Sequence, residues 1–128
     1  MAKGLLKKIL YVEDDSDIRE IARLALVDVG GFIVQICSYG EEALKLAPHF
    51  KPDLIILDVM MPDMDGISTY KAFRELKDTA LTPIIFLTAK VQTEDIKQYL
   101  EMGVLEVIYK PFDPLTLADS IRNIWNRA

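Results

Sequence analysis

"LIILDVMMPDMDG", residues 54–66, is the stretch on which the reading of this chain turns. Four aliphatic residues end on a carboxylate, Asp58. A run this short and this apolar reads as a buried strand. Burying an unpaired carboxylate is costly unless it is ion-paired or binds a metal. Asp58 therefore either stands in water just past the strand end or has a neighbour that makes its charge useful.

Working outward, four more runs match it: "KILYV" (8–12), "FIVQIC" (32–37), "PIIFLT" (83–88) and "EVIY" (106–109). They are apolar almost throughout rather than alternating, which suits parallel strands covered on both faces. Helical spacing fills the gaps. Ile18, Ile21, Ala22, Ala25 and Val29 give a first helix capped by Ser16. Ala43, Leu44 and Ala47 give a short second one, with Ser38 as cap and a stop before Pro48. Tyr70, Phe73 and Leu76 mark a third. Ile96, Tyr99 and Leu100 mark a fourth, capped by Thr93 and stopped by Gly103. Leu117, Ala118, Ile121, Ile124 and Trp125 mark the last, with Pro114 in its first turn. Strand and helix alternate five times. With right-handed crossovers this predicts an α/β fold, a doubly wound five-stranded parallel sheet flanked by five helices.

The 128 residues fit one domain with a real core, and we read residues 1–128 as a single unit. The net charge of −5 argues against a nucleic-acid footprint. The start, "MAKGLLKKILYVEDD", lacks the apolar run of a signal peptide, and no stretch approaches the ~20 apolar residues of a membrane helix. Cys37 is the one cysteine, so no internal disulfide forms. A cytoplasmic location is the expectation.

In such sheets ligands bind beyond the carboxyl ends of the strands. Glu13, Asp14 and Asp15 follow the first run, Asp58 ends the third, Thr88 ends the fourth, and Lys110 with Pro111 follows the fifth. Singly these read as a solvated loop, a turn residue, a cap and a surface lysine. Jointly they converge on one sheet edge, although the strands were chosen from apolar runs alone. Clustered carboxylates repel one another unless a cation offsets them. A hard divalent cation such as Mg²⁺ needs one or two carboxylates and leaves room for phosphate oxygens. A lysine and a hydroxyl would contact the remaining phosphoryl oxygens. This is a site for placing a phosphoryl group on a carboxylate, with Asp58 as nucleophile.

The motifs "VEDD" (12–15), "LDVMMPDMDG" (57–66), "LTA" (87–89) and "YKPF" (109–112) resemble those of a response-regulator receiver domain of two-component signalling, the group that includes the chemotaxis response regulator. The likeness covers about residues 8–126, with no effector domain after it. It implies a flavodoxin-like strand order, 2-1-3-4-5. It implies that Asp58 is the phosphoacceptor, that Glu13 and Asp14 are the acidic pair, and that Thr88 and Lys110 bind the phosphoryl group. Mg²⁺, or Mn²⁺, would be held by Asp14, Asp58 and the Met60 carbonyl, with Glu13 acting mainly through metal-bound water. The Lys110–Pro111 bond would be cis. A sensor histidine kinase or histidine phosphotransfer protein would donate the group, and a downstream protein would read the face of helix 4, strand 5 and helix 5. The chain would act only on itself, in phosphorylation and slow autodephosphorylation, as a monomer or weak dimer. One residue departs from the pattern. Val107 stands where the family has Tyr or Phe, three before the lysine.

Three other readings fail on residues. A haloacid-dehalogenase-like phosphatase needs a second Asp at position 60, which is Met60. A flavodoxin-like redox carrier needs a phosphate loop where "VEDDSD" is acidic. An EF-hand with Gly66 at its sixth place puts Met61 first and Ala72 twelfth, neither an oxygen ligand. Pro62 and Gly66 instead shape the turn after the central strand, and His49 is read as a surface loop residue.

Overall fold

The computed structural model describes residues 4–59, 66–89 and 92–128. Its strands are β1 (Lys8–Val12), β2 (Ile33–Cys37), β3 (Leu54–Asp58), β4 (Ile84–Thr88) and β5 (Glu106–Tyr109). Its helices are α1 (Ser16–Arg23), α2 (Gly40–Phe50), α3 (Gly66–Glu75), α4 (Thr93–Met102) and α5 (Leu117–Arg127). The strands pair in parallel, in the order β2-β1-β3-β4-β5, as the sequence implied. The order reverses beside β1, which creates a crevice where β1 and β3 end.

Successive strand residues point to opposite faces, so each strand feeds two cores. Leu10, Val12, Ile55, Leu57 and Phe86 pack toward α2, α3 and α4. Ile9, Tyr11, Leu54, Ile56, Ile85 and Leu87 pack toward α1 and α5. β3 and β4 are buried along their whole length. That is why their sequences show no alternation. β2 lies at the sheet edge; Ile33 to Ile36 alternate between exposed and partly covered, and Cys37 is buried.

The helices correct several expectations. Asp15, not Ser16, caps α1; its side chain accepts from the Asp17 and Ile18 amides. The helix then widens into π turns over Leu24–Val29, where the Gly30 N–H reaches back five residues to the Ala25 carbonyl. The wider turn rotates the inner face. Ala22, Ala25 and Leu26 are buried, while Ile21 and Val29 are exposed. Helix α2 continues through Pro48 to Phe50 and ends where Lys51 turns left-handed at φ 54°. Pro48 falls within the last turn, so its missing N–H removes one hydrogen bond without breaking the helix. His49 is therefore helical, though exposed. Ser38 does not cap α2 with its hydroxyl; Glu42 reaches back to accept from the Ser38 amide at 2.9 Å. The α4 cap is Gln92 rather than Thr93, and Gly103 ends that helix at φ 105°. Pro114 lies in a turn just before α5, held by Asp113. All five apolar residues expected to face inward from α5 are buried.

Candidate functional site

Strand register assembles the site. Val12 pairs with Leu57, so Glu13 and Asp58 come next to each other at the carboxyl edge. Asp58 pairs with Leu87, one place before Thr88, and Thr88 pairs with Tyr109, one place before Lys110. Residues from four separate stretches of sequence are thereby brought together: Glu13 with Asp14, Asp58, Thr88 and Lys110. Met60, expected to offer its carbonyl, and Pro62 lie outside the described residues.

Asp58 is the last residue of β3 and is only 2 % exposed. It does not stand in water. Lys110 Nζ lies 3.2 Å from Asp58 Oδ2 and 2.8 Å from Glu13 Oε1, bridging the two buried carboxylates. Burial alone lowers the ammonium's proton affinity, but the Glu13 hydrogen bond and the charges of Glu13 and Asp58 outweigh it and raise Lys110 above its ordinary value. The lysine stays charged. Thr88 is fully buried at the end of β4, and its carbonyl accepts the Lys110 amide at 2.9 Å. The Lys110–Pro111 peptide is cis.

One oxygen each from Glu13, Asp14 and Asp58 lies within 4.8 Å of the others. Asp14 is exposed, and its proton affinity is raised by desolvation, by a hydrogen bond with Asp58 and by the Asp58 charge. The trio holds more negative charge than Lys110 neutralises. Hard oxygen donors in a half-open, charge-strained cluster suit a divalent cation such as Mg²⁺.

Two supporting residues, Tyr11 and Arg19, were not singled out from the sequence. Tyr11 is wholly buried, and its hydroxyl donates to Glu13 Oε1 at 3.3 Å. Burial, and then the charges of Glu13 and Asp58, push the phenol far up, so it remains a donor. Its signal was present: residues 11 and 13 share a strand face. Arg19 Nη1 donates to the Glu13 and Asp14 carbonyls at 2.9 and 2.8 Å and fixes the acidic turn. Asp15 supports the same turn as the α1 cap. Gly66 has a sharper reason than turn-forming. A β-carbon there would stand 2.6 Å from Val59 Cα and 2.8 Å from the Asp58 carbonyl oxygen, so only glycine lets α3 approach the end of β3.

Val107 is buried opposite Phe86, whereas Tyr109, two residues on, is half exposed. The aromatic volume beside Val107 comes from elsewhere: Phe86 stacks edge-on against Tyr70 at 5.7 Å and Tyr99 at 5.2 Å.

Comparison with known proteins agrees with this geometry. The response regulator receiver domain family matches residues 9–122. The chain is 41 % identical to the alkaline phosphatase synthesis transcriptional regulatory protein PhoP of Bacillus subtilis over 95 % of its own length and 50 % of that protein's. It is 40 % identical to the probable transcriptional regulator ycf27 of Guillardia theta, over 94 % of this chain and 46 % of that one. The chain thus spans about half the length of these curated relatives. Among solved structures it superposes on the chemotaxis protein CheY4 of Vibrio cholerae with a TM-score of 0.85 and 33 % identity, covering 94 % of this chain and 99 % of that one. Receiver domains are signalling switches that bind Mg²⁺ at an acidic pocket, and the buried aspartate, its lysine and the neighbouring carboxylates are set on the same scaffold here. The chain belongs to the response regulator receiver domains of two-component signalling.

Proposed function

We propose that this chain accepts a phosphoryl group on Asp58 from a phosphohistidine, on a sensor histidine kinase or a histidine phosphotransfer protein, and that the acyl phosphate changes its affinity for a downstream protein. The observation that carries this reading is Asp58 itself, a buried carboxylate held by Lys110 beside two further carboxylates. An Asp58 oxygen attacks phosphorus, the phosphorus–nitrogen bond breaks, and its electron pair returns to the donor imidazole. Asp14, Asp58 and the Met60 carbonyl would hold Mg²⁺, with Mn²⁺ as a substitute and Glu13 acting through metal-bound water. When bound, the cation supplies positive charge against the oxygens of the transferring group. Lys110 and the Thr88 hydroxyl take the remaining oxygens.

An apolar groove of about 330 Å³, lined by Ile18, Ile21, Ala89, Pro111 and Phe112, opens beside Lys110 and supports docking of the donor there. It gives exposed Ile21 a use that core packing does not. Output leaves by the face of α4, β5 and α5. Residues 8–126 serve as one receiver unit, a monomer or weak dimer with no nucleic-acid contact of its own. Acetyl phosphate with Mg²⁺, followed by intact-protein mass spectrometry, tests the reading. One hydroxylamine-labile phosphoryl group is expected, and none on Asp58→Asn. Full labelling of that variant would remove Asp58 from its role.

A further inference from the structure

We propose that Tyr11 is a positioning residue of this site: its phenol is a standing hydrogen-bond donor to Glu13 that frees Lys110 to move to a phosphoryl group. The inference rests on the function proposed above and assigns a residue to it.

Glu13 has no exposed surface, so its carboxylate depends on donors from the protein. Lys110 Nζ and the Tyr11 hydroxyl both reach Oε1, at 2.8 and 3.3 Å, and the Asp15 amide reaches Oε2 at 3.4 Å. The same ammonium holds Asp58 Oδ2. A phosphoryl group on Asp58 draws the ammonium toward its new oxygens, and Glu13 loses its charged donor. Tyr11 does not follow. Its ring is fixed in the core toward α1 and α5, among Ile9, Leu54 and Ile56. The phenol and the Asp15 amide are then its remaining protein donors. Deleting the hydroxyl takes one of three protein donors before transfer but one of two after it. The loss therefore falls harder on the phosphorylated state.

The test is Tyr11→Phe, which keeps the ring and removes the donor. Beryllofluoride, a stand-in for the phosphoryl group, is titrated in the presence of Mg²⁺ and followed by ¹⁹F NMR. Affinity should fall about two- to threefold, because the bond is lost from both states and the titration reads only the difference, a part of one bond's net value. The same substitution in a Glu13→Gln background should cause a clearly smaller loss, because the carboxylate needing the donor is gone. Urea unfolding of wild type, both single variants and the double variant, without Mg²⁺, gives a second readout. Tyr11 and Glu13 should couple rather than add. Tyr11→Phe removes the donor and Glu13→Gln the carboxylate, so the pair is probed from both sides. Unchanged affinity in Tyr11→Phe, or strict additivity in both cycles, would overturn the proposal. Wild type that takes no beryllofluoride would sink the phosphoacceptor reading itself, and this role with it.

Discussion

Asp14 is the exposed member of the carboxylate trio, and its charge is the least compensated. Its proton affinity is raised by desolvation and by the neighbouring Asp58, so the native state binds that proton more tightly than the unfolded chain does. The sign follows from linkage. The ionised side chain penalises folding, the penalty appears as pH rises above the ordinary value of 3.8, and it vanishes below it. Without metal, Asp14→Asn should therefore be slightly more stable than wild type at neutral pH, by less than about 1 kcal/mol because water screens the group. The gain should fade as pH drops through that window. Urea midpoints between pH 3 and 8 (a range of about five units) check this. With Mg²⁺ added the order should reverse, since on the proposed function the variant loses a ligand. Lys110→Ala makes the opposite case. It leaves two buried carboxylates without the ammonium that bridges them. Stability at neutral pH should fall by about 3 kcal/mol, as for a buried pair that loses one partner. Denaturant titration at neutral pH reads the loss.

At the scale of the element, the first helix shows how backbone geometry outranks sequence period. Ile18, Ile21, Ala22, Ala25 and Val29 keep a regular helical spacing, but the π turns over Leu24–Val29 shift the register halfway along. Leu26 takes the inner place that Val29 would have held. Leu26→Ala should cost about 2–5 kcal/mol by leaving a cavity. Val29→Ala should stay within about 0.5 kcal/mol, as a surface change. Thermal or urea unfolding of the two variants separates the readings, because an unbroken helix predicts a substantial loss at Val29. The same turns bring Gly30 under α5: a β-carbon there would meet Ala118 Cβ at 2.7 Å. The close approach of this segment to α5 thus depends on glycine as well as on the widened turn.

Across the whole molecule, the site sits at one end of the sheet, and the proposed output face runs along one side. β4 links them. Thr88 ends the strand in the site, and Phe86, two residues earlier on the same strand, stacks between Tyr70 of α3 and Tyr99 of α4. Val107 is small and stiff at χ1, so it fills space beside Phe86 but cannot swing outward as a ring does. On the function proposed above, the aromatic stack is the contact through which a shift of β4 would reach α4. Amide NMR spectra with and without beryllofluoride should show large changes at Thr88, Ala89, α4 and β5. α2, on the same face but over β1 and β2 at the other edge of the sheet, should change little. Changes confined to the neighbours of Asp58, with partner binding unaltered, would mean that the domain does not switch through this face. Trp125 is a poor reporter, since its indole bonds the Gly4 carbonyl at the far end of the sheet.

The fold was legible because parallel strands buried on both faces must be apolar throughout. "LIIL" and "IIFL" admit little else, and the carboxyl ends of such strands collect Glu13, Asp14, Asp58, Thr88 and Lys110 by topology alone. The π turns, the helix running through Pro48 and the cap at Asp15 were not legible. Each is a choice among backbone states of similar energy, decided by what packs against the segment. Tyr11 makes the same point within the site. In the sequence it is one more apolar strand residue. Only the folded sheet, by sealing Glu13 from water and drawing Lys110 onto it, gives the hydroxyl at the end of that ring a partner.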